Sequence, residues 1–126
     1  MRSMLIVDDQ SDLRMLLRMT FAGPDFEVRE AADGQAALAA CQQEMPDIVL
    51  LDVMMPGLDG YEVCRRIKVD ARAAGTLVVL MTAGHQATEE VRASAAGADL
   101  YVAKPFSPNE LLRAVQALTH AVPPAP

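Results

Sequence analysis

The sequence predicts an α/β fold in which a parallel sheet is covered by helices, and three observations carry that prediction. Five strand-like runs alternate with five segments whose apolar residues recur at helical spacing. Four of those runs are almost wholly apolar, as strands covered on both faces must be. The polar residues that break the pattern fall at the C-terminal ends of the runs, where open α/β sheets place their ligands.

In chain order, the predicted strands are Met4 to Val7, Glu27 to Ala31, Ile48 to Leu51, Thr76 to Met81 and Leu100 to Ala103. The second interleaves Val28 with Glu27, Arg29 and Glu30 and reads as an edge strand. Leu13, Leu16, Leu17 and Phe21 make the face of a first helix, Ala37, Leu38 and Cys41 of a second, and Val63, Cys64 and Ile67 of a third. A weaker fourth face uses Val91 and Ala95. The fifth helix has the clearest start, because Ser107, Pro108 and Glu110 form a capping box with proline at the first helical position, ahead of Leu111, Ala114, Val115 and Leu118. Gly23 with Pro24, then Pro46, Gly75 and Gly97 punctuate the ends of the first four helices. The expected domain covers residues 1–121, and residues 122–126 read as a Pro-rich tail or the start of a linker.

At 126 residues, 52% of them hydrophobic, the chain can close one core without metal or disulfide staples. Runs such as Ile48 to Leu51 and Leu77 to Met81 are far too short to cross a bilayer. The first apolar run meets Asp8 and Asp9 at once, which leaves no signal-peptide core, and Cys41 and Cys64 lack metal or redox spacing, so a cytoplasmic protein with reduced thiols is expected. A net charge of −6 argues against direct binding to nucleic acid, which requires clustered cations.

The strand ends carry the chemistry. Asp8 and Asp9 follow the first strand, Asp52 the third, Thr82 the fourth and Lys104 the fifth. If the strands run in the order 2-1-3-4-5, the first and third are neighbours and three carboxylates meet at one rim. Two carboxylates about 5 Å apart at an effective dielectric of about 20 repel by roughly 3 kcal/mol, so the site must protonate or recruit a cation. Oxygen donors without His or Cys suit Mg²⁺ better than zinc. Such an ion also lets an anionic nucleophile meet an anionic phosphoryl group, with Lys104 supplying a second charge and Thr82 a hydroxyl.

Each residue also has a plainer reading. Asp8 and Asp9 could cap the first helix, Thr82 could end a strand, and Lys104 could be a solvated loop charge before Pro105. Met54 and Met55 read as loop packing and Tyr101 as a half-buried strand residue, while His85 and His120 have no evident partner. Their joint occurrence at four strand ends favours the phosphoryl-transfer reading.

From Met4 to about Leu118 the chain resembles the receiver domain of two-component response regulators. The run Ile48-Val49-Leu50-Leu51-Asp52-Val53-Met54-Met55-Pro56-Gly57-Leu58-Asp59-Gly60 carries most of the likeness, and Asp8-Asp9, Thr82-Ala83 and Lys104-Pro105-Phe106 match at compatible spacings. The resemblance implies a flavodoxin-like (βα)5 fold with strand order 2-1-3-4-5, a family property rather than a reading of this pattern. It implies Asp52 as the phosphoacceptor; Asp9, Asp52 and the backbone carbonyl of Met54 as Mg²⁺ ligands, with Asp8 acting through water; and Thr82, Lys104 and the backbone N–H of Ala83 as holders of the phosphoryl oxygens. Thr82 and Tyr101 match the switch positions, and a cis peptide bond is implied at Pro105. Gln10 stands where many relatives carry another acid.

The implied function is a signalling switch that takes its phosphoryl group from a histidine kinase or phosphotransfer protein. It is no enzyme beyond its own phosphorylation and dephosphorylation. The expected output is a change in the face formed by the fourth helix, fifth strand and fifth helix, which would bind a downstream protein, an output domain or a second copy. The alternative is a receiver-like scaffold working without phosphorylation. An aspartyl-phosphate phosphohydrolase would show Asp-x-Asp and a cap insertion, and an FMN binder a Gly-rich and hydroxyl-rich loop after the first strand.

Overall fold

The computed structural model describes residues 1–82 and 87–121. Strands β1 (Arg2–Val7), β2 (Phe26–Ala31), β3 (Ile48–Asp52), β4 (Leu77–Thr82) and β5 (Leu100–Ala103) alternate with helices α1 (Ser11–Phe21), α2 (Gly34–Gln43), α3 (Gly60–Lys68), α4 (Ala87–Ala95) and α5 (Pro108–Ala121). The strands form one parallel sheet in the order β2-β1-β3-β4-β5, so β2 is an edge strand as its alternating polarity predicts. Strands β3 and β4 run one residue beyond the sequence expectation, which makes Asp52 and Thr82 the last paired residues of their strands.

The period of two sorts the strand residues onto the two faces. Leu5, Val7, Val49, Leu51, Val78 and Leu80 pack with Ala37, Cys41, Val63, Cys64, Ile67 and Ala93, from α2, α3 and α4. Met4, Ile6, Ile48, Leu50, Val79 and Met81 pack with Leu17, Phe21, Leu111 and Val115, from α1 and α5. Phe21 meets Phe26 edge-to-face at 5.5 Å between centroids. Both cysteines are buried free thiols.

Two helix faces differ from the sequence reading. In α1 the inward row is Leu13, Leu17 and Phe21, spaced by four, while Leu16 is 44% exposed. In α4 the buried residues are Ala93 and, just past the helix, Ala96, whereas Val91 is 67% exposed and Ala95 lies on the surface. Ranking by hydrophobicity favours the valine, but alanines on the inner side let the helix lie close to the sheet. Helix α3 also stops before Gly75, since a 3-10 turn over Ala71–Ala73, capped by Asp70, intervenes. The start of α5 agrees with expectation: it opens at Pro108, and the Ser107 hydroxyl accepts from the Glu110 N–H.

The chain after β3 turns sharply to start α3. The Val53 N–H donates to the Met81 carbonyl at 3.0 Å, and the Gly60 N–H donates back to the Val53 carbonyl at 3.1 Å. Gly57 takes a positive φ of 80° inside this turn, and the Asp59 carboxylate accepts from the Glu62 N–H to cap α3. Gly60 is needed for close approach, because a Cβ there would stand 2.4 Å from the Asp52 carbonyl oxygen and 2.7 Å from Val53 Cα.

Two measurements test this frame. Gly60→Ala is expected to destabilise by about 1–3 kcal/mol, read as a lower urea midpoint at unchanged slope. Gly75→Ala, whose added Cβ meets nothing within 4 Å, should leave the midpoint in place. Edge strand β2 is tied to α1 by Glu30, which pairs with Arg14 at 3.2 Å and Arg18 at 2.6 Å. The Arg18 hydrogen bond, above all, holds the Glu30 carboxyl below its ordinary 4.5 against the opposing effect of burial. A depressed carboxyl stabilises the fold above its unfolded value and loses that stabilisation as pH falls through the folded one. Glu30→Gln should therefore lower stability at neutral pH by about 0.5–1 kcal/mol. Urea titrations at stepped pH should show the gap from the parent closing below 4.5.

Candidate functional site

Parallel pairing of β1 with β3 brings Val7 level with Leu51, so the residues that follow each strand emerge side by side. Asp8, Asp9 and Asp52 each offer a carboxylate oxygen within 4.8 Å of the others. Asp8 is fully buried and Asp52 is 3% exposed, while Asp9 is on the surface.

Backbone and side-chain bonds fix the buried pair. The Asp8 N–H donates to the Ala31 carbonyl at 3.2 Å, its own carbonyl accepts from Arg14 Nη1 at 2.7 Å, and its Oδ1 accepts from the Gln10 N–H at 2.9 Å. The helix-cap reading of this acidic pair does not hold. Gln10 is the N-cap of α1, no side chain caps it, and the Asp8 carboxylate instead braces the turn before the helix. Asp52 Oδ1 accepts from the Met54 N–H at 3.2 Å, which curls the loop over the carboxylate while the Met54 side chain stays 68% exposed.

Among the described residues, one cation pairs with these acids. Lys104 Nζ lies 3.3 Å from Asp8 Oδ2 and 3.2 Å from Asp52 Oδ1, reaching in from the end of β5. Burial pushes the Asp52 carboxyl above its ordinary value, the Asp8 charge adds to that, and Lys104 opposes it without prevailing. Among the described residues the cluster sets one ammonium group against three carboxylates. Among the described residues its donors are carboxylate oxygens with no His or Cys, a set that fits a hard divalent cation.

Thr82 closes β4, wholly buried and in register with Ala103. Its carbonyl accepts from the Lys104 N–H at 2.7 Å, and the Lys104–Pro105 peptide bond is cis. Tyr101 lies two residues before this rim, half-buried against the core; burial, then the charge and hydrogen bond of Glu90, raise its hydroxyl. Ala83 and His85 lie outside the described residues. His120 is exposed near the end of α5.

The structure therefore gathers Asp8, Asp9, Asp52 and Lys104 at one point, with Thr82 and Met54 bonded into the same loops. Sequence reasoning overlooked Arg14 and Gly60. For Gly60 the signal was present, because Asp59-Gly60-Tyr61-Glu62 is an acid followed three residues later by Glu, a helix-start pattern. For Arg14 there was none, since a lone arginine on a helix face does not reveal which carbonyl it will reach.

These features match known proteins. The profile of the response regulator receiver domain fits residues 4–116. Over 114 residues the chain is 40% identical to the transcriptional regulatory protein ResD of Bacillus subtilis, covering 90% of this chain and 46% of ResD. Over 113 residues it is 40% identical to the DNA-binding response regulator MtrA of Mycolicibacterium smegmatis, covering 90% and 48%. The chain spans about half the length of the curated relatives it matches. Its structure is similar to that of the chemotaxis protein CheY4 of Vibrio cholerae, with a TM-score of 0.88 and 30% identity across 94% of this chain and 99% of that one. It also resembles the receiver domain of a signal transduction histidine kinase from Syntrophus aciditrophicus, with a TM-score of 0.89 and 26% identity across 100% and 96%. With a profile match over most of its length and the same strand order, the chain belongs to the receiver domain family of two-component response regulators.

Proposed function

We propose that this chain accepts a phosphoryl group on the Asp52 carboxylate and passes the event to its α4-β5-α5 surface. The observation that carries the reading is the meeting of Asp8, Asp9 and Asp52 around a single lysine. Asp9, Asp52 and the Met54 carbonyl would hold Mg²⁺, with Asp8 reaching it through water. When bound, the ion neutralises the acids and shields the incoming phosphoryl oxygens.

The chain's own groups do the remainder. Met54 N–H and Lys104 orient the Asp52 carboxylate, one oxygen of which attacks the phosphorus of a phosphohistidine on a kinase or phosphotransfer protein. The phosphorus–nitrogen bond breaks, its electron pair stays on the donor imidazole, and an acyl phosphate forms on Asp52. Lys104, the Thr82 hydroxyl and the Ala83 N–H hold the new oxygens. Drawing Thr82 inward opens space for Tyr101 to turn, which reshapes the face that a downstream protein, an output domain or a second copy recognises. Attack by water on the acyl phosphate resets the switch. Residues 1–121 would form this unit, and the expected tail or linker over 122–126 lies outside the described residues. Among the described residues no helix is long and apolar enough to cross a membrane.

Incubation with acetyl phosphate and Mg²⁺ should add one alkali-labile phosphoryl mass to the parent and none to Asp52→Ala; label persisting in the variant would place the acceptor elsewhere. Removing the Asp52 charge should also relieve the crowding with Asp8. In chelator, Asp52→Asn is expected to gain roughly 1 kcal/mol, a rise of a few degrees in Tm. Mg²⁺ should raise the Tm of the parent and leave the variant nearly unmoved, as scanning calorimetry would show.

A further inference from the structure

Helix α4 is lightly anchored. Its buried apolar contacts among the described residues come from Ala93 and the following Ala96, and its one larger apolar residue, Val91, faces out. Alanines bury little area, so polar contacts carry more of the attachment than in α3, which buries Tyr61, Val63, Cys64 and Ile67.

Those polar contacts gather on the first two turns. Tyr61, the second residue of α3, is 1% exposed, and its hydroxyl donates to Glu89 Oε2 across the gap between the helices. Arg92, one turn further along α4, places its guanidinium carbon 4.2 Å from the centroid of the same ring. A phenol donating to a carboxylate is a charge-assisted bond, stronger than a neutral one, and here it is half-buried. Burial first and Glu89 second push the Tyr61 hydroxyl up to about 12, so it remains a donor at neutral pH. The neighbouring Glu90 lines the same surface cleft as Tyr101 of β5, and its charge adds to burial in raising that hydroxyl. Two consecutive acids of α4 thus face two tyrosines: Glu89 bonds the one at the head of α3, and Glu90 lines a cleft with the one at the expected switch position.

The consequences for the two tyrosines differ. An inward turn of Tyr101 carries its hydroxyl away from Glu90, whereas Tyr61 is fixed by the packing of α3 and the approach of Gly60 to the Asp52 carbonyl. After Tyr101 leaves, the bond from Tyr61 to Glu89 and the stacking of Arg92 are what oppose movement of the first turn of α4. We infer that Tyr61, Glu89 and Arg92 form a latch that sets the balance between the resting and phosphorylated positions of α4, with Tyr61 as a positioning residue. This rests on the phosphoacceptor reading above. By linkage, a latch that favours the resting position lowers the apparent affinity of the site for a phosphoryl mimic in proportion to the population it withholds.

The test uses Tyr61→Phe, which keeps the ring and removes only the hydroxyl, alongside Glu89→Gln and Glu89→Ala. In hydrogen exchange without Mg²⁺, Tyr61→Phe should speed exchange across Ala87–Ala95 about tenfold while β1 and β3 stay protected. With Mg²⁺ present, half-saturation by beryllofluoride should fall about tenfold at unchanged Mg²⁺ affinity. Glu89→Gln should show a smaller effect than Glu89→Ala. Unchanged exchange in α4 overturns the latch. So does faster exchange with unchanged half-saturation, which would make the cluster a structural tie uncoupled from the site. If the parent itself shows no response to beryllofluoride, the phosphoacceptor reading fails, and the coupling fails with it.

Discussion

Repulsion among carboxylates organises this molecule. Two of the three acids at the C-terminal edge of the sheet are withdrawn from water, where neither solvent nor salt screens them well, and a single ammonium group stands between them. Folding delivers them there because β1 and β3 are hydrogen-bonded neighbours and the chain leaves both strands at the same level. The arrangement is tolerable only because backbone amides are also aimed at these oxygens, those of Gln10 and Met54 among them. A site so short of positive charge is prepared to receive it from outside.

The rest of the fold keeps that edge in place. Arg14 ties the start of α1 to the Asp8 carbonyl and, through Glu30, to the edge strand. On the other side, the turn after Asp52 folds back so tightly that α3 begins against the strand's own backbone. The helices differ in how firmly they are held. Helix α3 sinks an aromatic ring and three further apolar side chains into the core, whereas α4 meets the sheet through alanines.

Much of this was legible in the sequence, and the boundary is physical. The strands could be read because burial on both faces leaves only apolar residues, and Glu27, Arg29 and Glu30 marked β2 as an edge strand. The acids, the threonine and the lysine stood out as polar residues where the buried pattern stops. Helix orientation was harder. In α1 Leu16 and Leu17 are equally apolar, and only the phase set by Leu13 and Phe21 decides between them. In α4 the inward side is chosen by size rather than hydrophobicity, so ranking by apolar character points the wrong way. Contacts such as those of Tyr61 with Glu89 and Arg92 join residues 28 apart or more in the chain, and nothing in the local pattern announces them.

The hydrogen bond from the Lys104 amide to the Thr82 carbonyl ties together two residues that would face an anion from different strands. Because β4 and β5 are already in register at Thr82 and Ala103, this bond adds one more rung just past the paired region. Ammonium and hydroxyl therefore ride on a common support. Through β5 that support continues back to Tyr101.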